Sequence, residues 1–422
     1  MAARGAEGSG RWRLAAGRRR PRPLLPRPEL RRGPVGRDGP RGSSEALAVL
    51  SDGIPRSDIY PAFQDVSRMV IFGLGFFMAF LKRYGFSSTG FNLLIIALGV
   101  QWSVLMEGLL VSLFQTTKED DLKSITKATM SMTAVVISSA AVLGKANPIQ
   151  LIVMTVVEIV AFFLSRWINK MYLEIEDSVS MMHVHLFGAY FGLAVSFFFS
   201  EPSPEKNRST PKSDLMSMLG TLFLWLFWPS FNSVLAEKNK NTIIYNTYFA
   251  LAVSAVTAFA LSVLTTKDGK LRMTHFRSAT LAGGITIGYV AHNIQYPWIA
   301  MILGLLASVI TIIGSHCFQR CFNPILKIYD APGVLYTFGL PAVFGALAHV
   351  ILFIIKNWTD LPSHGHLILT DIGTFCLTIS MALMSGFITG PILNLKFLKT
   401  TPVSKYCDDQ FYWEFPHLAV GF

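Results

Sequence analysis

Apolar positions gather into eleven runs along the chain, at roughly 67–82, 89–112, 123–143, 148–168, 181–200, 215–236, 244–265, 277–294, 297–316, 332–356 and 368–396. About twenty apolar residues at a rise of about 1.5 Å cross the hydrocarbon core of a bilayer, so runs of this kind with almost no charge predict spanning helices. The first run is short and carries Arg68 near its start; the eighth and ninth are parted only by Gln295-Tyr296-Pro297. The pattern predicts an all-α polytopic membrane protein with eleven transmembrane helices. The fifth and tenth runs share a motif: His185-Leu-Phe-Gly-Ala189-Tyr-Phe191-Gly192 lies over Phe338-Gly-Leu-Pro-Ala342-Val-Phe344-Gly345, with Ala, Phe and Gly coinciding. Counting spans, the fifth runs inward and the tenth outward. That is the mark of a five-plus-five inverted repeat, whose binding site lies at the repeat interface near mid-bilayer.

Composition agrees with a membrane protein. Only 15% of residues are charged and 51% are hydrophobic, against roughly 25% charged in a soluble chain. The net charge of +11 is misleading, because residues 1–43 hold twelve Arg against Glu7, Glu29 and Asp38, which is nine of those eleven charges. The basicity belongs to one tail and not to a nucleic-acid surface, so no nucleic-acid partner is expected. Residues 1–57 are Arg/Pro/Gly-rich and read as a disordered segment; no apolar core follows the basic stretch, so they are not a signal peptide. Residues 58–396 form the transmembrane domain and 397–422 a tail.

Loop charge orients the bundle. Lys82, Arg83, Lys145, Lys206, Arg208, Lys267, Lys270, Arg272 and Arg277 fall on one set of alternate loops; the other set mixes Lys118 and Lys123 with Glu119, Asp120 and Asp121. Lys212, Arg320 and Lys327 also fall in the first set, and Arg166, Lys170, Lys238, Lys240 and Lys356 in the second. The first, richer in basic residues, is expected to be cytoplasmic, with the tail, leaving residue 60 outside. The Arg-rich segment would then have to be translocated, which that rule disfavours. Either it is an alternative start that displaced a preceding helix, which is the preferred explanation, or the first span inserts abnormally. Asn357-Trp358-Thr359 is a glycosylation acceptor on the expected outer side, close to the bilayer; Asn207-Arg208-Ser209 falls inside and is expected to be bare. Cys317 and Cys321 beside His316 read as free thiols at a helix end, open to acylation, rather than a metal site.

His185 is the chief chemical candidate. An ionisable group at depth costs about 2.5–3.5 kcal/mol or more when charged, so it normally faces a cavity or a partner. A neutral, pore-facing His185 is therefore expected, the plainer alternative being a packed histidine bonded to a neighbour. Gly188 and Gly192 suit either close helix packing or a narrow channel. His183 is expected nearer the surface. Asp177 precedes His185 by two helical turns and is expected to cap the helix N-terminus while shaping the pore mouth. Phe231 follows Pro229, which re-aims that turn. Gly73-x-Gly75 lies within a span and lacks the strand and acidic partner of a dinucleotide site. No nucleophile elbow or metal-ligand cluster is visible, so neither an enzyme nor a cofactor is expected.

The segments Phe63-Gln64-Asp65-Val66, Ala97 to Trp102, Ala141 to Lys145, Phe187 to Leu193, Trp225 to Ser233 and Ala279 to Gly284 closely resemble the Rh branch of the ammonium transporter family. The tail, through Asp408-Asp409-Gln410, Trp413 and Phe415 to Phe422, is similar to the blood-group polypeptides of that branch. The resemblance spans residues from about 58 to 422. It implies a trimer with one pore per subunit, in which ammonium loses a proton and ammonia passes two stacked Phe and two facing His. Leaving the charge behind avoids most of the desolvation cost. Rh members carry a further helix before the eleven, whose place the basic segment takes here.

By the resemblance, His185 matches the first pore His, Asp177 the carboxylate above it and Phe231 one gate Phe. The second pore His falls at Phe338, the other gate Phe at Met130, and two acidic vestibule positions at Arg166 and Arg272. These departures imply a pore that conducts ammonium weakly or not at all; the alternative is an ammonia or carbon dioxide channel using His185 alone. The resemblance also implies a plasma-membrane glycoprotein that forms a homo- or heterotrimer with an Rh-associated glycoprotein, and a tail that reaches ankyrin and the membrane skeleton.

Overall fold

A computed structural model describes residues 59–114, 120–317, 330 and 333–415; the expectations for residues 1–57, Cys321 and 416–422 lie outside them. Among the described residues the architecture is all-α, with one isolated antiparallel bridge between Leu81 and Ser209. Helix α1 runs Ile59–Arg68, passes through a π-helical turn at Met69–Gly73 and ends as Leu74–Phe77. There follow α2 (Gly85–Phe114), α3 (Asp121–Ala141), α4 (Pro148–Tyr172), α5 (Asp177–Ser196), α6 (Pro211–Ser233) and α7 (Lys240–Thr265). Then come α8 (Met273–Ile287), α9 (Pro297–Cys317), α10 (Leu335–Lys356) and α11 (Leu361–Leu393).

Eight of these, α2, α4, α5, α6, α7, α9, α10 and α11, are long and apolar enough to cross a membrane. The other three overlap predicted runs, although α8 ends at Ile287 and so lies further from α9 than the expected Gln295-Tyr296-Pro297 break, and they fall short for distinct reasons. Helix α8 has only 15 residues. A π turn interrupts α1. Helix α3 carries Lys123, Lys127 and many hydroxyls. Both α3 and α8 are buried along nearly their whole length, so protein surrounds them and they need no lipid-compatible face. The first helix also begins earlier than expected, at Ile59. Its polar residues pair among themselves: Arg68 donates to Asp65 at 3.0 Å and to Gln64 at 3.2 Å, and the other Asp65 oxygen accepts from Ser230 at 2.8 Å.

The packing pattern repeats after five helices. Helix α2 lies against α3 and α4, and α7 against α8 and α9; α5 packs on α3, and α10 on α8. The two motif-bearing helices use the same glycine for this. A Cβ at Gly192 would stand 2.6 Å from Ser138 Cα on α3, and one at Gly345 would stand 2.5 Å from Thr286 O on α8. Gly188 is as tight, 2.4 Å from Ala134 O. Of the two uses left open for Gly188 and Gly192, these distances select helix packing.

The helix ends sort into two sets. At one end, Lys82 N–H donates to Arg208 O, and Asn147 Nδ2 donates to Leu398 O and Lys399 O. The tail is docked here. Asp409 accepts the backbone N–H groups of Phe86 (3.1 Å) and Ser87 (2.7 Å) at the start of α2, where unpaired helical donors call for an acceptor. Trp413 donates to Ser87 Oγ at 3.0 Å and covers Gly90. Cys407 N–H reaches Gly144 O at 2.9 Å. Burial pushes the Cys407 thiol up to about 11 and lowers the Lys145 ammonium beside it to about 8. At the opposite end, Lys123 pairs with Glu237 at 3.5 Å and His349 with Asp371 at 3.5 Å.

Candidate pore site

The centre of the bundle holds a file of aromatic rings. His185, on α5, is buried, and its ring is stacked on Trp228 of α6 at 5.6 Å between centroids. Phe231, one turn further along α6, meets His185 edge-on at 5.8 Å. On the remaining side stands Phe338 of α10, nearly parallel to His185 (8°) at 6.4 Å. Two helices, α6 and α10, thus bring rings to the one imidazole on α5. The two residues the repeat aligns, His185 and Phe338, face each other across it.

The hydrogen bonds of His185 are incomplete. Nδ1 lies 3.3 Å from Met182 O, while Nε2 has no protein partner. A buried polar atom left unpaired costs about 1–3 kcal/mol, so its retention asks for a reason. Met130 is buried on α3, within the same apolar cluster as Phe231.

Asp177 opens α5 but does not cap it. Glu176 occupies the N-cap and makes no side-chain cap. The Asp177 carboxylate is committed elsewhere: Oδ1 accepts from Arg166 Nη2 at 2.7 Å, and Oδ2 pairs with Lys127 Nζ. Arg166 also donates through Nε to Ser180 at 3.2 Å and lies over Phe162 and Phe163. The expected capping role is therefore replaced by an ion triad of two buried cations on a part-buried carboxylate. Two cations thus share one acid at this helix end. Arg272 belongs to the tail end. It heads α8, its N–H donates to Ser262 Oγ at 2.8 Å, and its side chain borders a surface pocket with Met218, Phe259 and Phe276.

Two polar residues that the sequence placed at the surface, His183 and Arg277, are buried, and so is a third, Glu158, that it passed over. His183, expected near the surface, is 1% exposed. Its Nδ1 lies 3.1 Å from Thr378 Oγ1, and its ring packs on Tyr289 and Phe375. Helix α5 breaks locally at His183, and α3, α10 and α11 enclose both of its faces. Two histidines two residues apart are therefore both interior. Glu158, mid-way along α4, is buried with Ser138 donating to it. Arg277, read as a loop charge, lies within α8 and is 3% exposed. The signal for Glu158 and Arg277 was their place in or beside an apolar run, where a charge is costly and seldom idle.

Apolar helices long enough to span a membrane, packed around a buried ring file, define a channel-like membrane protein. The chain belongs to the Ammonium Transporter Family, whose model matches residues 55–408. It is 44% identical to an RH-like protein of Macaca mulatta over 370 residues, 86% of this chain and 89% of that one. It is 41% identical to the human blood group Rh(D) polypeptide over the same length, with the same coverage. Among solved structures it is similar to Nitrosomonas europaea Rh50, from a study of conduction by the Rhesus family of channels; the TM-score is 0.73 and the identity 27%, covering 86% of this chain and 93% of that one. Candida albicans Mep2 shares the fold at 15% identity and a TM-score of 0.66, covering 84% of this chain and 88% of that one.

Proposed function

We propose that this chain is a subunit of a trimeric Rh-type complex of the plasma membrane, linked to ammonium and ammonia transport, whose own pore conducts weakly or not at all. In this reading the tail end is cytoplasmic and the Asp177 end is the outer mouth. The observation that carries it is Phe338, set parallel to His185 at 6.4 Å. A benzene ring neither donates to nor accepts from the imidazole, so a solute at this point finds one hydrogen-bonding wall and one inert, bulky one. Phe231 closes the outer side of His185, Met130 takes the place of the second gate ring, and Arg166 with Lys127 makes the outer mouth unattractive to a cation.

Methylammonium uptake in oocytes tests this. Uptake by the unmutated chain is expected within about twofold of uninjected cells, and Phe338→His is expected to raise it severalfold at equal surface expression. Strong uptake by the unmutated chain would sink the reading. It would favour the alternative, an ammonia or carbon dioxide channel, which the unpaired Nε2 of His185 supports.

A poorly conducting subunit makes sense inside an assembly. The proposed partner is an Rh-associated glycoprotein, in a homo- or heterotrimer, with residues 397–422 turned to ankyrin and the membrane skeleton. The docked tail leaves Phe411 and Trp413 partly exposed, which gives such a contact an apolar foothold. Purification of the full chain from red-cell-type membranes in mild detergent should bring down both proteins. Recovery of a lone monomer would remove this part of the reading.

A further inference from the structure

On the outside of the bundle, at its tail end, α6, α7 and α8 enclose a surface cavity of about 150 Å³. Met218 comes from α6, Ala258 and Phe259 from α7 and Phe276 from α8, and the polar members of the lining are Ser262 and Arg272. Ala258 lies about 10 Å of helix below the end of α7 at Thr265, so the recess runs inward from the membrane surface. Leu264 (77% exposed) and Leu271 (56%) carry its apolar wall outward. The Ser262 hydroxyl is engaged from within the protein: it accepts Arg272 N–H at 2.8 Å and lies 3.3 Å from His275 Nδ1. The Arg272 side chain is exposed and forms no ion pair with a described residue. Asp268, on the same loop, is outnumbered by Lys267, Lys270 and Arg272, and Asp214 of α6 accepts from Ser209 at 3.0 Å.

We propose that this cavity is a binding site for an anionic phospholipid, with one acyl chain between α6, α7 and α8 and the phosphate on Arg272. The shape takes a narrow apolar chain, and the guanidinium fork above it matches a phosphate. Charge complementarity sets the lipid class: three cations against one acid at headgroup level favour a net anion, as basic residues beside a membrane do. Helix α8 also begins here without a side-chain cap, so its first-turn N–H groups add donors toward the same phosphate. A second copy of this chain is a poorer occupant, because Lys82, Arg83, Lys206 and Lys212 make this end basic throughout. The site lies outside the ring file and stands whether or not the pore conducts. A lipid seated in it would tie three helices together at one end.

The test titrates the full chain, purified in mild detergent, with dioleoyl phosphatidylserine or dioleoyl phosphatidylcholine in mixed micelles, and counts bound lipid by native mass spectrometry. Phosphatidylserine is expected to bind about fivefold more tightly than phosphatidylcholine, and Arg272→Gln to remove about that factor. Lys396→Gln, an exposed cation elsewhere at the tail end, should leave binding unchanged. Met218→Trp, which fills the recess and keeps every charge, should weaken phosphatidylserine binding severalfold; if it is recovered poorly, Met218→Phe is read in its place. Equal binding of the two lipids overturns the proposal. So does unchanged affinity in either the Arg272 or the Met218 variant, or a loss at Lys396→Gln as large as at Arg272→Gln. Glycerophosphoserine, the headgroup without chains, should not compete at equal concentration; competition would leave the recess without a role and overturn the proposal. Loss of subunit association in Met218→Trp with lipid binding intact would assign the cavity to a second copy instead.

Discussion

Gly188→Ala should destabilise the bundle by about 3 kcal/mol, the upper part of the range for overpacking a tight interior, and Gly188→Val should prevent folding. The new Cβ would stand 2.4 Å from Ala134 O and 2.8 Å from Ala134 Cα. Those are backbone atoms of a helix that is itself enclosed, so no rotamer change can make room and α3 and α5 must part. Parting them moves His185 away from Phe231 and Phe338 and loosens the central ring file. The measurement is the thermal midpoint of detergent-purified protein, with Gly108→Ala as control. At Gly108 a Cβ meets nothing within 4 Å, so a change within about 0.5 kcal/mol is expected there. If Gly188→Ala melts with the control, the close approach of α3 and α5 is wrong.

The second large effect is at Asp177. Replacing it by Asn keeps the shape and removes the charge, leaving Arg166 and Lys127 side by side, both buried. Breaking a buried pair from one side costs about 3–5 kcal/mol, because the orphaned charge has already lost its water. The same substitution also makes this helix end more positive. Asp177→Asn is therefore expected to reduce surface expression several-fold and lower the melting midpoint. Lys127→Met in the same chain should restore part of the loss, since neighbouring charges do not contribute independently. No recovery in the double variant would show that Lys127 is not Asp177's partner.

The sequence carried much of this architecture, for physical reasons that vary from element to element. Helices that face lipid announce themselves by hydropathy, which is why α2, α4, α7, α9, α10 and α11 lie close to their predicted runs. The first half of α1 did not, because Gln64, Asp65 and Arg68 look like a polar loop until their mutual hydrogen bonds are seen. At the site, the constant offset between the fifth and tenth runs aligned His185 with Phe338, and the family resemblance implied that they oppose each other, as the parallel rings do. Asp177 does not make the cap expected of it. A helix-opening acid resembles a cap, and only the fold brings Arg166 from α4 and Lys127 from α3 to the same carboxylate. Arg277 was assigned to a loop because a charge usually ends an apolar run; α8 instead starts one turn earlier, at Met273, and draws it inside.

The docked tail bears on how shortened versions of this chain should be judged. Asp409 supplies the acceptor that the first turn of α2 lacks, and Trp413 fills the hollow over Gly90. Removing these residues would uncover helix donors and an aromatic seat together. A truncation ending before Cys407 would thus injure the body of the molecule as well as any contact it makes with cytoskeletal proteins. Loss of anchorage in such a deletion would then report on misassembly first and on adhesion only second.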